Sequence, residues 1–264
     1  MPYFKLLLLF VCSALFSVQS LSKIVNIDIL IEDGYFPLII NANKQQGLAF
    51  EFVQILNESQ HEFNFSLNPL PSKRLIRTVE AKKFDALFLM ALIWLPKSTH
   101  TYLTKTKFSV TVANELYALK DNALDQSYFD NLDRLTKAGV LGYAYKFADY
   151  NTDEMFLSHV HNMSLTRSEI HVAKMVLFKR ADIGIIGNLT SQYFKHTSTN
   201  TIDMDLLYKR KTPDQIYDTA FLVNQQSSRI TASLFDDILK LPTVKSKLKD
   251  LFNRYGITSS VKPW

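Results

Sequence analysis

The chain has 264 residues, enough for one large domain or two small ones, and it is 47% apolar and 21% charged, as globular proteins are. A formal charge of +5, with lysines scattered among acids and no dense basic stripe, argues against a nucleic-acid surface. Nineteen Phe and twelve Tyr exceed what a core needs, so some aromatics are free to line a cleft.

Lys5 followed by an apolar run over residues 6–16, with Val18 and Ser20 as small cleavage-site residues, predicts a secretory signal peptide over 1–20. The run is too short to span a membrane as a helix, which takes ~20 apolar residues. Cleavage after Ser20 would remove Cys12, the only cysteine, and leave a periplasmic protein without disulfides.

Val25, Ile27, Ile29 and Ile31 alternate with Asn26 and Asp28, predicting a first strand. The loop EDGYFP (32–37) follows it, and Tyr35 and Phe36 are either a local lid on the core or part of a ligand surface. Gly47 precedes a helix over 48–59 with Ala49, Phe52, Val53 and Leu56 as its buried stripe. Phe63, Phe65 and Leu67 alternate with polar residues as a second strand. Pro71 ends that strand, and Ser72 can cap a helix carrying Leu75, Ile76 and Val79 on one face. Arg74 lies in its first turn, either aimed at a ligand or part of a solvated face. Residues 84–90, with Asp85 their only charge and Met90 at their end, read as a buried strand. The first ninety residues thus run strand, helix, strand, helix, strand, a parallel α/β half.

Residues 91–107 form a mixed loop containing Trp94, and 108–119 return to strand character. A polar, helix-prone stretch over 121–137 leads to a short strand over 139–142 and the corner GYAY. Tyr143 and Tyr145 there offer hydroxyls beside unpaired backbone N–H groups, or else form a packing corner. A helix over 166–180 with Ser168 as cap precedes the strand DIGIIG, and Asn188 opens the loop beyond. KKFDALFLM and KRADIGIIG share a pattern, suggesting two similar lobes. A last strand at 219–223 and two amphipathic helices close the chain, with Gly256 as terminator.

In this order, EDGYFP, GLAFEFV, Pro71-x-x-Arg74, KKFDAL, the FSV at Phe108, GYAY and KRADIGII resemble the extracytoplasmic solute-binding proteins of family 3. The resemblance spans nearly all of the chain after the signal. It implies the two-lobed periplasmic binding protein type II fold, with a cleft that closes by hinge motion. Lobe one would comprise 21–114 and 219–264, and lobe two 115–218. It further implies a monomeric, non-catalytic receptor for a small molecule, delivering to an inner-membrane ABC permease, without cofactor or metal. The expected ligand residues are Tyr35, Phe36, Arg74, Met90, Trp94, Tyr143, Tyr145 and Asn188.

Amino-acid binders of the family carry an arginine before their Phe-Ser and an acid at the end of the lobe-two strand. Here the first region holds Thr101, Tyr102 and Lys105, and the second position is Gly187. The ligand is therefore expected to be acidic or aromatic rather than a free α-amino acid, with Arg74 serving an acidic group. The alternatives are a cyclohexadienyl dehydratase-like enzyme, with Glu32 or Glu115 as cleft carboxylate, or a stand-alone sensory protein. Residues 159 and 161 are a histidine pair on an expected strand with no third metal ligand nearby.

Overall fold

The computed structural model describes residues 24–197 and 202–264, so the expected signal segment lies outside the described residues. One continuous sheet runs in the order β2 (Phe63–Leu70), β1 (Val25–Glu32), β3 (Ala86–Met90), β9 (Gln215–Asn224), β4 (Leu103–Leu119), β7 (Ile183–Gly187), β5 (Lys137–Val140), β6 (Met163–Thr166), with β8 (Leu207–Lys209) beside β4. Its first half holds β1, β2 and β3, parallel and ordered β2-β1-β3. Its second half repeats the arrangement with β5, β6 and β7, parallel and ordered β6-β5-β7. The long strand β4 pairs antiparallel with β9 up to Asn114, then with β7 from Asn114 to Ala118. It thereby carries the chain from one half to the other. The short β8 pairs with its far end.

Each half repeats one corner. Helix α2 (Ser72–Glu80) ends with Lys82 in the left-handed region at φ 58°, and α4 (Glu169–Leu177) with Lys179 at the same φ. Next comes an aspartate that ties its strand to the neighbouring one in both directions. Asp85 N–H donates to Asp28 O at 3.0 Å, and its carboxylate accepts from Asp28 N–H at 2.7 Å. Asp182 does the same with Thr136, at 3.1 and 2.8 Å. Arg229 donates to the fully buried Asp85 at 2.8 Å, so this charge is compensated. The similarity between KKFDALFLM and KRADIGIIG is therefore a repeat of local geometry.

Helix α1 (Leu48–Ser59) buries Leu48, Ala49, Phe52, Val53 and Leu56 against the first half. Gly47, at φ 135°, precedes it because a β-carbon there would lie 2.3 Å from Leu38 O. Phe52 sits among Phe88, Phe108, Phe221 and Phe252, at ring separations of 5.3 to 6.2 Å. The C-terminal helices α6 (Ala232–Leu239) and α7 (Pro242–Arg254) pack on the same core. Much of the aromatic excess is thus consumed in the core of the first half.

Five local expectations differ from the structure. Ser168 makes no capping bond, its hydroxyl being bonded to His171 Nδ1 at 2.8 Å. Residues 121–137 form two short 3-10 turns, Gln126–Phe129 and Leu132–Arg134, rather than an α-helix. The stretch is polar, without a continuous apolar stripe to bury. Ser72 makes no capping bond, because its hydroxyl is taken by Glu32. Asn188 begins α5 (Asn188–Thr197) rather than a loop. His159 and His161 lie on α3 (Glu154–His161), two residues apart, where helical spacing turns them to different faces.

Candidate functional site

A cavity of about 350 Å³ lies where the two half-sheets meet. The first half contributes Glu32 and Tyr35 from the end of β1, Ser72, Leu75 and Ile76 from α2, Met90 from β3, and Ile93 to Pro96 beyond it. The second contributes the Gly142–Ala144 corner, Tyr150, Thr152, Glu169 and Gly187. Val112 and Asn114 of the crossing strand β4 lie between. The halves touch around this cavity. Thr190 hydroxyl donates to Phe36 O at 2.9 Å, and Lys73 pairs with Glu154 at 3.4 Å on the surface. Gly142, at φ 85°, lets its chain approach Ser72, whose Oγ would lie 3.0 Å from a β-carbon at 142.

The charged groups of the lining are two carboxylates, Glu32 and Glu169, and neither Lys nor Arg joins them. Glu169 is buried at the first position of α4. Its carboxylate lies beside Gly187, where a β-carbon would be 2.9 Å from Oε1. The Thr190 hydroxyl is bonded both to it and to Phe36 O, and its single proton can serve only one of the two at a time. Burial nevertheless pushes its pKa up to about 7, with the nearby Glu32 and Glu115 adding to the rise. Glu32, half-buried and facing the apolar walls, is likewise pushed up to about 7 by desolvation. The Ser72 hydroxyl bond opposes that rise, and the Asp33 charge adds to it.

Two phenols complete the polar surface. Tyr35 and Tyr143 hydroxyls are buried without a hydrogen-bond partner, and both residues line the cavity. Burial and the two carboxylates hold both phenols well above their usual pKa. The Trp94 ring stands edge-on to Tyr35 at 6.2 Å and to Tyr217 at 5.0 Å, which fixes this aromatic wall.

Of the residues expected from sequence, Tyr35, Met90, Trp94 and Tyr143 line the cavity, and four do not. Arg74 is exposed, because α2 buries Leu75 and Val79 and turns position 74 outward. The anchor expected for an acidic ligand is therefore absent from the cavity. Phe36 is buried between the halves, stacked on Phe194 at 5.2 Å. Tyr145 closes its own corner, accepting from Val140 N–H at 2.7 Å. Asn188 accepts from Ala113 N–H at 2.8 Å and donates to Thr111 O and Ser260 Oγ, pinning α5 to β4. Glu115 points away from the cavity, bonded to Tyr117 hydroxyl at 2.6 Å and paired with Lys209 at 3.0 Å. Glu169 escaped sequence reasoning. Its only local sign is an acid in the first turn after Ser168, where any helix favours one.

Tyr145→Phe is expected to cost about 1 kcal/mol, the net worth of a typical buried hydrogen bond, without altering ligand binding. Paired denaturant melts and binding titrations check this, and a loss of binding would return Tyr145 to the site.

No family model matches the sequence, and no curated protein matches it. Solved structures do match. One is a histidine kinase sensor domain with similarity to periplasmic binding proteins, at TM-score 0.62 and 12% identity, covering 87% of this chain and 95% of that one. Another is an ancestral amino-acid-binding protein, a precursor of cyclohexadienyl dehydratase, at TM-score 0.62 and 14% identity, covering 88% and 95%. A third is a probable amino-acid ABC transporter extracellular-binding protein from Bacillus subtilis, at TM-score 0.60 and 13% identity, covering 89% and 99%. They are proteins of the kind that the sequence motifs resemble. At these identities the likeness is one of architecture, and it agrees with the strand order: the chain has the two-lobed periplasmic binding protein type II fold.

Proposed function

We propose that the protein is an extracytoplasmic solute-binding protein that clamps a small molecule between its lobes. The observation that carries this reading is the cavity at the junction, walled by both halves and floored by a strand that crosses between them. Residues 21–114 and 219–264 form lobe one and 115–218 lobe two, a division supported by the change of β4 partner at Asn114. Residues 1–20 direct secretion and are cleaved. Among the described residues no helix is long and apolar enough to cross a membrane. The closed cleft then presents its ligand to an ABC permease or a membrane sensor, the two settings of the similar folds.

A thermal-shift screen of the purified protein against amino acids, amines, organic acids, peptides and sugars tests this reading. A ligand at a hundredfold excess over Kd adds about 2.7 kcal/mol to stability. The expected result is a clear rise in Tm with at least one compound class, accompanied by compaction in small-angle scattering. No shift with any class would sink the reading. A second reading, enzymatic turnover, is favoured by one observation: carboxyls held near pH 7 suit acid–base chemistry. Conversion of prephenate or arogenate by the protein would decide for it.

A further inference from the structure

We propose that the cavity takes a small organic amine, a cation with an apolar body and no carboxylate, held by Glu32 and Glu169 with Tyr35 and Tyr143 as further polar partners. This rests on the solute-binding reading above and names its ligand class. The charge of the lining is the first ground: two acids line one cavity without a basic residue among them. Neither acid takes part in an ion pair among the described residues. Their hydrogen-bond partners are uncharged hydroxyls, Ser72 for one and Thr190 for the other. Buried carboxylates without a countercharge are unfavourable unless one arrives.

The second ground is independent of charge. Tyr35 is 7% exposed, lines the cavity, and its hydroxyl has no partner; the Tyr143 hydroxyl is in the same position. Buried polar groups are normally bonded; these two hydroxyls lie closed off beside the cavity, so a ligand completes them once the side chains turn slightly toward it. A primary ammonium has three N–H donors, enough for both carboxylates and one of the phenol oxygens. A quaternary ammonium has no N–H to offer them. A free α-amino acid would bring a carboxylate into a space that already holds two and offers no arginine or lysine. The remaining walls, including Leu75, Ile76, Met90 and Trp94, suit an alkyl or aryl body.

The test is calorimetric titration at pH 8 with three probes that share one body: 2-phenylethylamine, L-phenylalanine and 3-phenylpropionate. Hexylamine, agmatine and 1,5-diaminopentane extend the amines to other shapes. The expected result is binding of at least one amine, with phenylalanine at least about tenfold weaker than phenylethylamine and phenylpropionate silent, as the charge-assisted bonds require. Glu32→Gln and Glu169→Gln, each verified as folded by circular dichroism, are expected to weaken the bound amine about thirtyfold. The inference is overturned if phenylalanine or phenylpropionate binds more tightly than phenylethylamine, or if both variants bind the amine as wild type does. It is also overturned, with the solute-binding reading left standing, if no amine binds while a neutral or anionic compound does. If nothing of any charge binds, the solute-binding reading fails first and this inference with it.

Discussion

Glu169→Gln is expected to raise the stability of the protein at pH 8, without added ligand, by about 2 kcal/mol while weakening its hold on an amine. A carboxyl whose folded-state pKa lies above its unfolded value keeps its proton longer in the native protein. Between about pH 4.5, the ordinary value, and about pH 7, the native state holds protons that the unfolded chain has released. Stability from Glu32 and Glu169 therefore falls as pH rises through that window and stays low above it. Each pK unit is worth about 1.4 kcal/mol, so a neutral isostere recovers much of the cost. The gain stays below the full shift because the amide does not reproduce the carboxyl's close bond to Thr190. For a chain of this size, ~2 kcal/mol corresponds to a Tm rise of about 4–8 °C.

The same groups set the pH dependence of binding. Asp33, Ser72, Tyr35, Tyr143 and Tyr145 lie near Glu32, and Thr190, Glu115, Tyr35, Tyr117, Tyr143 and Tyr145 near Glu169. None is a cation, and Glu115 is already paired with Lys209. An amine binds the ionised pair, so its affinity should rise with pH through about 7, with protons released on binding. Melts of wild type and variant at pH 5 and pH 8 check the stability half. The variant's advantage must be present at pH 8 and largely absent at pH 5; an equal effect at both would mean that Glu169 is not held protonated by its burial.

Phe52→Ala should be the most damaging single core truncation, at about 3–5 kcal/mol and a Tm fall of roughly 10 °C. Phe52 is fully buried and stands where α1 meets both crossing strands. Phe108 on β4 is at 5.8 Å and Phe221 on β9 at 5.4 Å, with Phe88 of β3 and Phe252 of α7 completing the cluster. The cavity left by the ring cannot collapse easily, because the rings around it come from four separate elements. Leu124→Ala is the control: its side chain is 87% exposed and its loss should stay within about 0.5 kcal/mol. Urea melts of the two variants measure the difference. A Phe52→Ala loss below about 1 kcal/mol would show that the first half does not depend on this cluster.

The order of elements was legible because local signals agreed with one another. Alternation at Val25–Glu32, the stripe of Leu48–Ser59 and the two Lys–Asp corners each report a period or a turn that a few neighbouring residues determine. Those signals, taken in order, gave a parallel α/β half and a second like it; the two-lobed fold was what the family resemblance implied. Tyr35, Trp94 and Tyr143 were readable as candidates, though their loop neighbours Phe36 and Tyr145 carried the same signal and went into packing. What the chain order could not convey is which faces of the two halves meet. Arg74 is in the first turn of its helix as expected, yet burial of Leu75 and Val79 rotates it to solvent. Asn188 and Tyr145 lie near the junction but spend their polar atoms on backbone groups that would otherwise be buried unpaired. Gly187 reads as the loss of an acid until the folded chain brings Glu169, eighteen residues earlier, into the space a side chain there would fill. Periodicity tells which side of an element is buried; only the pairing of β4 with β9 and then β7 decides what that side is buried against.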